Sequence, residues 1–564
     1  GDSRLFSNMK QFRWQLLIVL LTALIVGLIL ILYQNKPESP VIETPSPISG
    51  GSYTEALVGQ FSRLNPLLDH YNQVDRDVDR LLFSRLIRHN SVGLPVPELA
   101  QNWTVSDDAT HYTFYINEKA VWHDGVPVTS HDVAFTVSLL QSGSPYIAQN
   151  LRDFWPNVEV IVHGDDAIEF VLQDSFAAFF DYLNFQILPS HLIIVQSVEE
   201  LIDHPFTLSP VGSGPFRFSE LIIKESQIIG VELVANDFYF EGRPFLDKVT
   251  FRYYFDRESA LQAYLGGEVD GLSSISTNEM NRVLAQPGLN LYSSREAQLS
   301  TIFLNNNSTE ATYLSLADFR KALMAAINRQ GMIDEVLYGQ GILAVGPFIP
   351  DSWAFFDGQP QFRYDPDLAR QLIAGLGMKI DGAMKLRDAE GQAVKLQLLV
   401  PNDLRYEALA SIVERNWKTI GIEVVLDIRP YEEVLSLLEA RNYQAALIDV
   451  DFSATPDPDP YPFWSEATAT EGQNYSGWVN ATASEYIELA RVISDYDLRT
   501  RLYRNFQVLF AEDLPSLPLF YTVYNYAVKD TIQNVSVGPI YDPSDRFNTI
   551  CEWYIKTGIP GTEQ

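Results

Sequence analysis

The sequence predicts an α/β protein in which a large folded body follows one apolar N-terminal helix. Three observations carry this. Residues 16–33 form an apolar run of about 18 residues without a charge, long enough to cross a hydrocarbon core. Residues 395–400, 406–420 and 423–428 alternate as strand, helix and strand, the pattern of a mainly parallel, doubly wound sheet. Tyr112, Phe114 and Ile116 alternate with Thr113 and Tyr115 at the period of a half-buried strand.

Composition bounds the function. At 564 residues the chain has room for about three to four domain-sized units. With 46% apolar and 20% charged residues it can bury a large core. The net charge of −32, from 72 acids against 40 bases, argues against a nucleic-acid partner, because phosphate binding needs a basic surface. It equally disfavours charge-driven docking on an anionic membrane. Cys551 is the only cysteine, so no intrachain disulfide can form, and it reads as a small buried apolar residue.

In chain order, Arg4, Lys10 and Arg13 precede the apolar run. By the positive-inside rule, residues 1–14 are a cytoplasmic tail, 15–33 a transmembrane anchor, and the remainder lies outside the cytoplasm. A cleaved signal would have a shorter apolar core followed by small residues, whereas Tyr33-Gln34-Asn35-Lys36 follows here. Residues 34–51, with Pro37, Pro40, Pro45 and Pro47, read as an extended stalk.

The body opens with a strand at 53–58 and a helix at 74–88, with Val78, Leu81, Leu82 and Leu86 on one face. After the strand at 112–116, Asp124-Gly125 predicts a tight turn. Thr129 and Asp132 then predict a capped helix start, followed by Val133, Val137 and Leu140 at helical spacing. Residues 158–172 read as two strands around a turn at 163–166. Gly212, Gly214 and Pro215 form a tight turn into a strand at 216–218. A phosphate loop is excluded there, since no Lys-Ser/Thr follows and no helix opens. A strand at 251–255, a helix at 259–265 ending on Gly266-Gly267, a strand at 299–305 and a helix from Asp365 follow. A strand at 443–452 and two helices within 484–512 complete the series, Leu502, Phe506 and Leu509 lining one helix face.

The order Ala100-x-x-Trp103-x-Val105-Ser106-x-Asp108, a strand, and Trp122-His123-Asp124-Gly125-x-Pro127-Val128-Thr129-x-x-Asp132-Val133-x-Phe135 resembles the signature region of the family 5 extracellular solute-binding proteins. These are the oligopeptide, dipeptide and nickel receptors of ABC importers. Further matches are Leu64-Asn65-Pro66, Val211-Gly212-Ser213-Gly214-Pro215-Phe216 and the segment from Asn236 through Asp247. The helices from Phe319 to Arg329 and around Arg499, Tyr503 and Gln507 also match. The resemblance covers nearly all of residues 52–557. It implies a two-lobed fold like that of periplasmic binding proteins. Lobe I would be 52–300 with an extra subdomain at about 69–204, lobe II 301–515, and 516–564 a return to lobe I. It implies ligand binding between lobes, ABC permease subunits as partners, no cofactor and no enzymatic activity.

The stretch 445–466 is the most informative for a ligand. Asp449 and Asp451 alternate on one face of a strand, where both carboxylates can face a cleft or simply solvent. In the peptide-binding relatives an aspartate three residues before an Asp/Glu-Pro pair binds the peptide amine. Here the pairs are Asp457-Pro458 and Asp459-Pro460, and Ala454 and Pro456 stand three residues earlier. The amine-binding aspartate is absent at that position, with Asp451 the substitute further up the strand. Tyr461, Trp464, Tyr475 and Trp478 suit stacking on sugar rings or apolar side chains, or packing in the lobe. The ligand reading is therefore Asp449, Asp451, Ala454, Tyr461, Trp464, Tyr475 and Trp478, around a peptide or an oligosaccharide. A hydrolase is a weaker alternative. Asp449 and Asp451 meet the carboxylate spacing of glycoside hydrolysis trivially, and no nucleophile elbow, His-Glu-x-x-His or Walker motif occurs. An anchored sensor is another alternative. The scattered histidines give no metal-ligand spacing, and His123 and His131 read as structural.

Overall fold

The computed structural model describes residues 3–34, 46–555 and 557–558, in two units. The first holds the helix Ser3–Gln34 and a short antiparallel pairing of Ser46–Pro47 with Thr557–Gly558. Within the helix, Phe12–Gln34 is long and apolar enough to cross a membrane, and none of it is buried against protein. Most of the expected stalk, residues 35–45, lies outside the described residues.

The second unit, Ser49–Lys556, is the body. Its apolar side chains gather in two large cores. One is built from Tyr53 through Phe251 together with Tyr524 through Trp553, the other from Ile302 through Phe520. A single sheet runs through both. Among the described residues it has 11 strands, and its two longest members, Leu289–Leu304 and Ser516–Lys529, pair antiparallel along their length and pass from one core to the other. Their register slips between Arg295 and Leu299, where Glu296, Ala297 and Gln298 stand opposite Thr522 alone. Such a bulge bends and twists a strand, and it lies where the chain passes between cores.

On the first core, Ser52–Val58 pairs parallel with Lys248–Tyr254, which continues antiparallel into Gln227–Ala235 and Phe216–Lys224. A separate antiparallel sheet joins Ala100–Val105, His111–Ile116, Ala167–Leu172 and Val158–His163. In His111–Ile116 the expected alternation holds: Tyr112, Phe114 and Ile116 are buried and Tyr115 is exposed. On the second core, Lys395–Pro401 lies parallel to both Glu423–Arg429 and Ala445–Asp451, with the helix Leu404–Lys418 between the first two. The parallel part stops at these three strands, because Ala445–Asp451 meets the crossing strand Leu289–Leu304 antiparallel. The lobe is mixed rather than mainly parallel, since the strand shared between lobes fixes its neighbour's direction.

The predicted helix 74–88 is shorter than expected. Gln73–Leu82 is helical, and Ile87–His89 is a strand paired with Pro95–Pro97. The cause is the Gly212–Gly214 loop, which lies across the helix C-terminus: the Gly214 N–H donates to the Leu82 carbonyl at 2.8 Å. A Cβ on Gly212 would fall 1.8 Å from the Leu82 carbonyl oxygen. Neither glycine adopts a positive φ, so both serve close backbone approach rather than the turn geometry expected.

Candidate functional site

The signature stretch is scaffold. Gly125 takes φ +87° in the Asp-Gly turn. Thr129 caps Ser130–Leu140, accepting from the His131 N–H, while Asp132 closes the capping box and accepts from the Trp122 indole at 3.1 Å. His123 joins the two glycine-rich motifs. Its Nδ1 accepts from the Gly212 N–H at 3.0 Å, which makes Nε2 the protonated nitrogen, donating to the Gly214 carbonyl at 3.1 Å. Burial pushes His123 down to about 4, consistent with this neutral tautomer.

The two lobes meet along a polar seam organised by the helix Tyr496–Asp513. Arg499, Tyr503 and Gln507 are four residues apart and share one face. Arg499 donates to both oxygens of Asp457 at 2.8 Å, and the two side chains are only 1% and 4% exposed. Burial lowers the Arg499 pKa, but the Asp457 carboxylate outweighs it and holds the guanidinium well above its usual range. Gln507 donates to the Ala354 carbonyl at 2.8 Å and accepts from the Phe356 N–H at 3.0 Å. One helix face thus fixes two loops of lobe II, around Asp457 and around Trp353.

Both loops reach lobe I. The Asp457 N–H donates to Asp181 Oδ1 at 2.9 Å, and the Trp353 N–H donates to the Val92 carbonyl at 2.9 Å. Gly93 takes φ +86°, and a Cβ there would sit 2.8 Å from the Pro456 carbonyl oxygen. Burial, and then the Asp457 carboxylate, pushes Asp181 well above the usual carboxylate range. His89 Nε2 lies 3.9 Å from Asp181 Oδ1, and burial pushes this imidazole down to about 3. At the bulge, Arg295 is buried beside Tyr521 and Tyr541, next to a small apolar cluster of Ala297, Leu299, Ala344 and Ile349.

The sequence-predicted residues separate. Trp464, Tyr475 and Trp478 are 8%, 7% and 4% exposed and belong to the lobe II core. Trp464 packs edge-on against Phe510 at 4.9 Å, Tyr475 against Phe303 at 5.4 Å, and the Trp478 indole donates to Asp513 at 2.9 Å. Of the two places expected for them, packing in the lobe is the one they take here. Asp449 is likewise committed, held by Arg405 and the Ser300 hydroxyl. Asp451 and Ala454 are exposed, and Asp451 accepts from the Ser453 N–H at 2.8 Å. Tyr461 is half-buried beneath the Arg491 guanidinium, 4.2 Å from its ring centroid. Arg491 also lies 5.0 Å from the Phe176 ring of lobe I and 3.0 Å from Asp459. It borders a cavity of about 580 Å³ that Phe154, Phe176 and Tyr182 close on the lobe I side. Arg499 and Gln507 could have been found from their helical spacing. Asp181, His89, Gly93 and Arg295 carry no local signal.

Two lobes joined by crossing strands, with a polar seam between them, are the architecture of the two-lobed binding proteins. A model of the bacterial extracellular solute-binding proteins, family 5, middle region, matches residues 95–473, and the chain belongs to that family. It is thus an extracytoplasmic solute-binding protein of a family that comprises receptors, not enzymes. The oligopeptide-binding protein AppA of Bacillus subtilis is 27% identical over 516 residues, covering 90% of this chain and 92% of that protein. The dipeptide-binding protein of Escherichia coli is 23% identical, covering 81% and 87%. The structure of HbpA2 from Haemophilus parasuis superposes with a TM-score of 0.74 at 20% identity, over 86% of this chain and 97% of that one.

Proposed function

We propose that this protein binds a peptide in the seam between its lobes and presents it to the permease of an ABC importer. The observation that carries the reading is the seam itself: two separately cored lobes, joined by two bulged strands, meet through main-chain and carboxylate groups. A ligand with a polar backbone is suited to such a surface, and the names of the B. subtilis and E. coli relatives support a peptide over a sugar. Lobe I is 52–300 with its subdomain, lobe II is 301–515, and 516–564 returns to lobe I. The Asp451–Ala454 edge and Tyr461 border the ligand, and Asp181 and the Asp457 loop close over it. The apolar helix serves as an uncleaved anchor that leaves the body outside the membrane.

Native mass spectrometry of the detergent-solubilised full chain tests this reading. Peptide adducts that exchange with an added pool of short synthetic peptides are expected. Adducts of carbohydrate mass, or none with any peptide in the pool, would contradict it.

A further inference from the structure

We infer that Arg295, with Tyr521, holds an anionic group of the ligand at the hinge. The inference rests on the peptide reading above and names which part of the peptide this corner of the seam takes.

Arg295 is 6% exposed and makes no ion pair among the described residues; it shares a hydrogen bond with the Tyr541 hydroxyl, while its Nη1 is buried without a partner. Other buried arginines are matched. Arg546 meets Glu55 and Asp77, and Arg499 meets Asp457. Arg320 and Arg329 each donate to several backbone carbonyls. Arg405 also leaves Nη1 unpartnered, but its other terminal nitrogen holds Asp449.

The unmet groups on the elements that meet near Arg295, the partner crossing strand and the loop that follows Asp351, are of one kind. The Tyr521 hydroxyl, on the partner crossing strand, is buried and unpartnered, as are Ser352 Oγ and the Trp353 indole N–H on the lobe II loop that meets Val92. Guanidinium and indole can only donate, and both hydroxyls are able to. A buried donor without an acceptor is unfavourable, so this corner favours a ligand group rich in acceptors, and the fixed positive charge selects an anion. Asp351, the carboxylate whose charge Arg295 feels, lies on an exposed turn and makes no ion pair with it. Arg295 also sits at the register slip of the crossing strand. An anion bound there touches the element that must bend when the lobes move, which couples occupancy to closure. In a peptide the anion comes from the α-carboxylate or from an acidic side chain.

Titration calorimetry of the full chain tests this with matched synthetic peptides: free C-terminus, amidated C-terminus, and amidated with an added Asp or Glu. The wild type should bind at least one carboxylate-bearing form at least about tenfold more tightly than the neutral amide, and the preferred form identifies the source. Arg295→Met should abolish that preference, bringing the carboxylate-bearing and amide forms to within about twofold of each other. Tyr521→Phe, which keeps the buried ring, should reduce the preference and covers the case in which Arg295→Met misfolds. Equal binding of all three forms by the wild type overturns the inference but leaves the peptide reading standing. So does an undiminished preference in either folded variant. Failure to bind any peptide overturns the peptide reading, and this inference with it.

Discussion

Two buried arginine knots, one in each lobe, use the same chemistry to different ends. In lobe I, Arg546 is fully buried and donates to Glu55 and to both oxygens of Asp77, while Tyr526 also donates to Glu55. Every partner lies on lobe I or its return segment. In lobe II, Arg499 grips Asp457, and the same residue's N–H extends to Asp181 across the seam. The first knot closes on itself and holds a lobe together. The second is open at one end and holds a loop where the other lobe must find it. A buried ion pair is weak evidence for stability, but breaking one is costly because it strands a charge.

That contrast orders the expected effects. Arg546→Met should be the most damaging, since it strands two carboxylates; a loss of about 3–5 kcal/mol is expected in denaturant unfolding. Arg499→Met strands one carboxylate in a loop that can shift toward solvent. It should cost about 3 kcal/mol or less, and should weaken peptide binding more than its stability loss explains. If the two substitutions lower stability equally and leave binding alike, the distinction between a lobe knot and a seam knot fails.

Gly93→Ala probes the seam from the lobe I side. The new methyl meets the Pro456 carbonyl only when the lobes are together, and φ +86° strains any side chain. Peptide affinity should fall by about tenfold, with a change in unfolding free energy near 1 kcal/mol from the local strain.

The smallest effect expected is on pH dependence. His89 is pushed from its ordinary 6.5 down to about 3 by burial, so between those values the unfolded chain binds a proton that the folded one does not. Its contribution is full above about pH 6.5 and is lost as pH falls toward 3. Asp75, pushed up to about 6 by burial, acts in the opposite sense: its contribution is full below the ordinary 3.8 and is lost as pH rises toward 6. His89→Gln should flatten the acid limb of a stability–pH curve, and Asp75→Asn the rise toward acid.

The fold was largely legible because its elements carry local signals. The alternation of Tyr112, Phe114 and Ile116, the Thr129 cap and the strand–helix–strand of 395–428 depend on neighbours in sequence, and they occur where expected. The glycines at 212 and 214 marked a turn but not its purpose, which depends on a helix end more than a hundred residues away in sequence. The site was less legible for the same reason. Trp464, Tyr475 and Trp478 cluster in sequence, but an aromatic's face is assigned by what packs on it, here Phe303, Phe506 and Phe510. Asp449 and Asp451 do alternate on one strand, yet Arg405 and Ser300 occupy the first. Asp181 and Gly93 meet the Asp457 loop, and Arg295 meets Tyr521, only once the chain has crossed between lobes.

On this reading the two lobes close on a peptide about the bulged crossing strands. Pulsed electron paramagnetic resonance distances between spin labels at Lys224→Cys in lobe I and Ser411→Cys in lobe II, with Cys551→Ser, test it directly. A pool of short synthetic peptides should shift the distance distribution to a shorter, narrower one. Identical distributions with and without the pool, at concentrations where calorimetry registers binding, would show that the lobes do not close on a peptide.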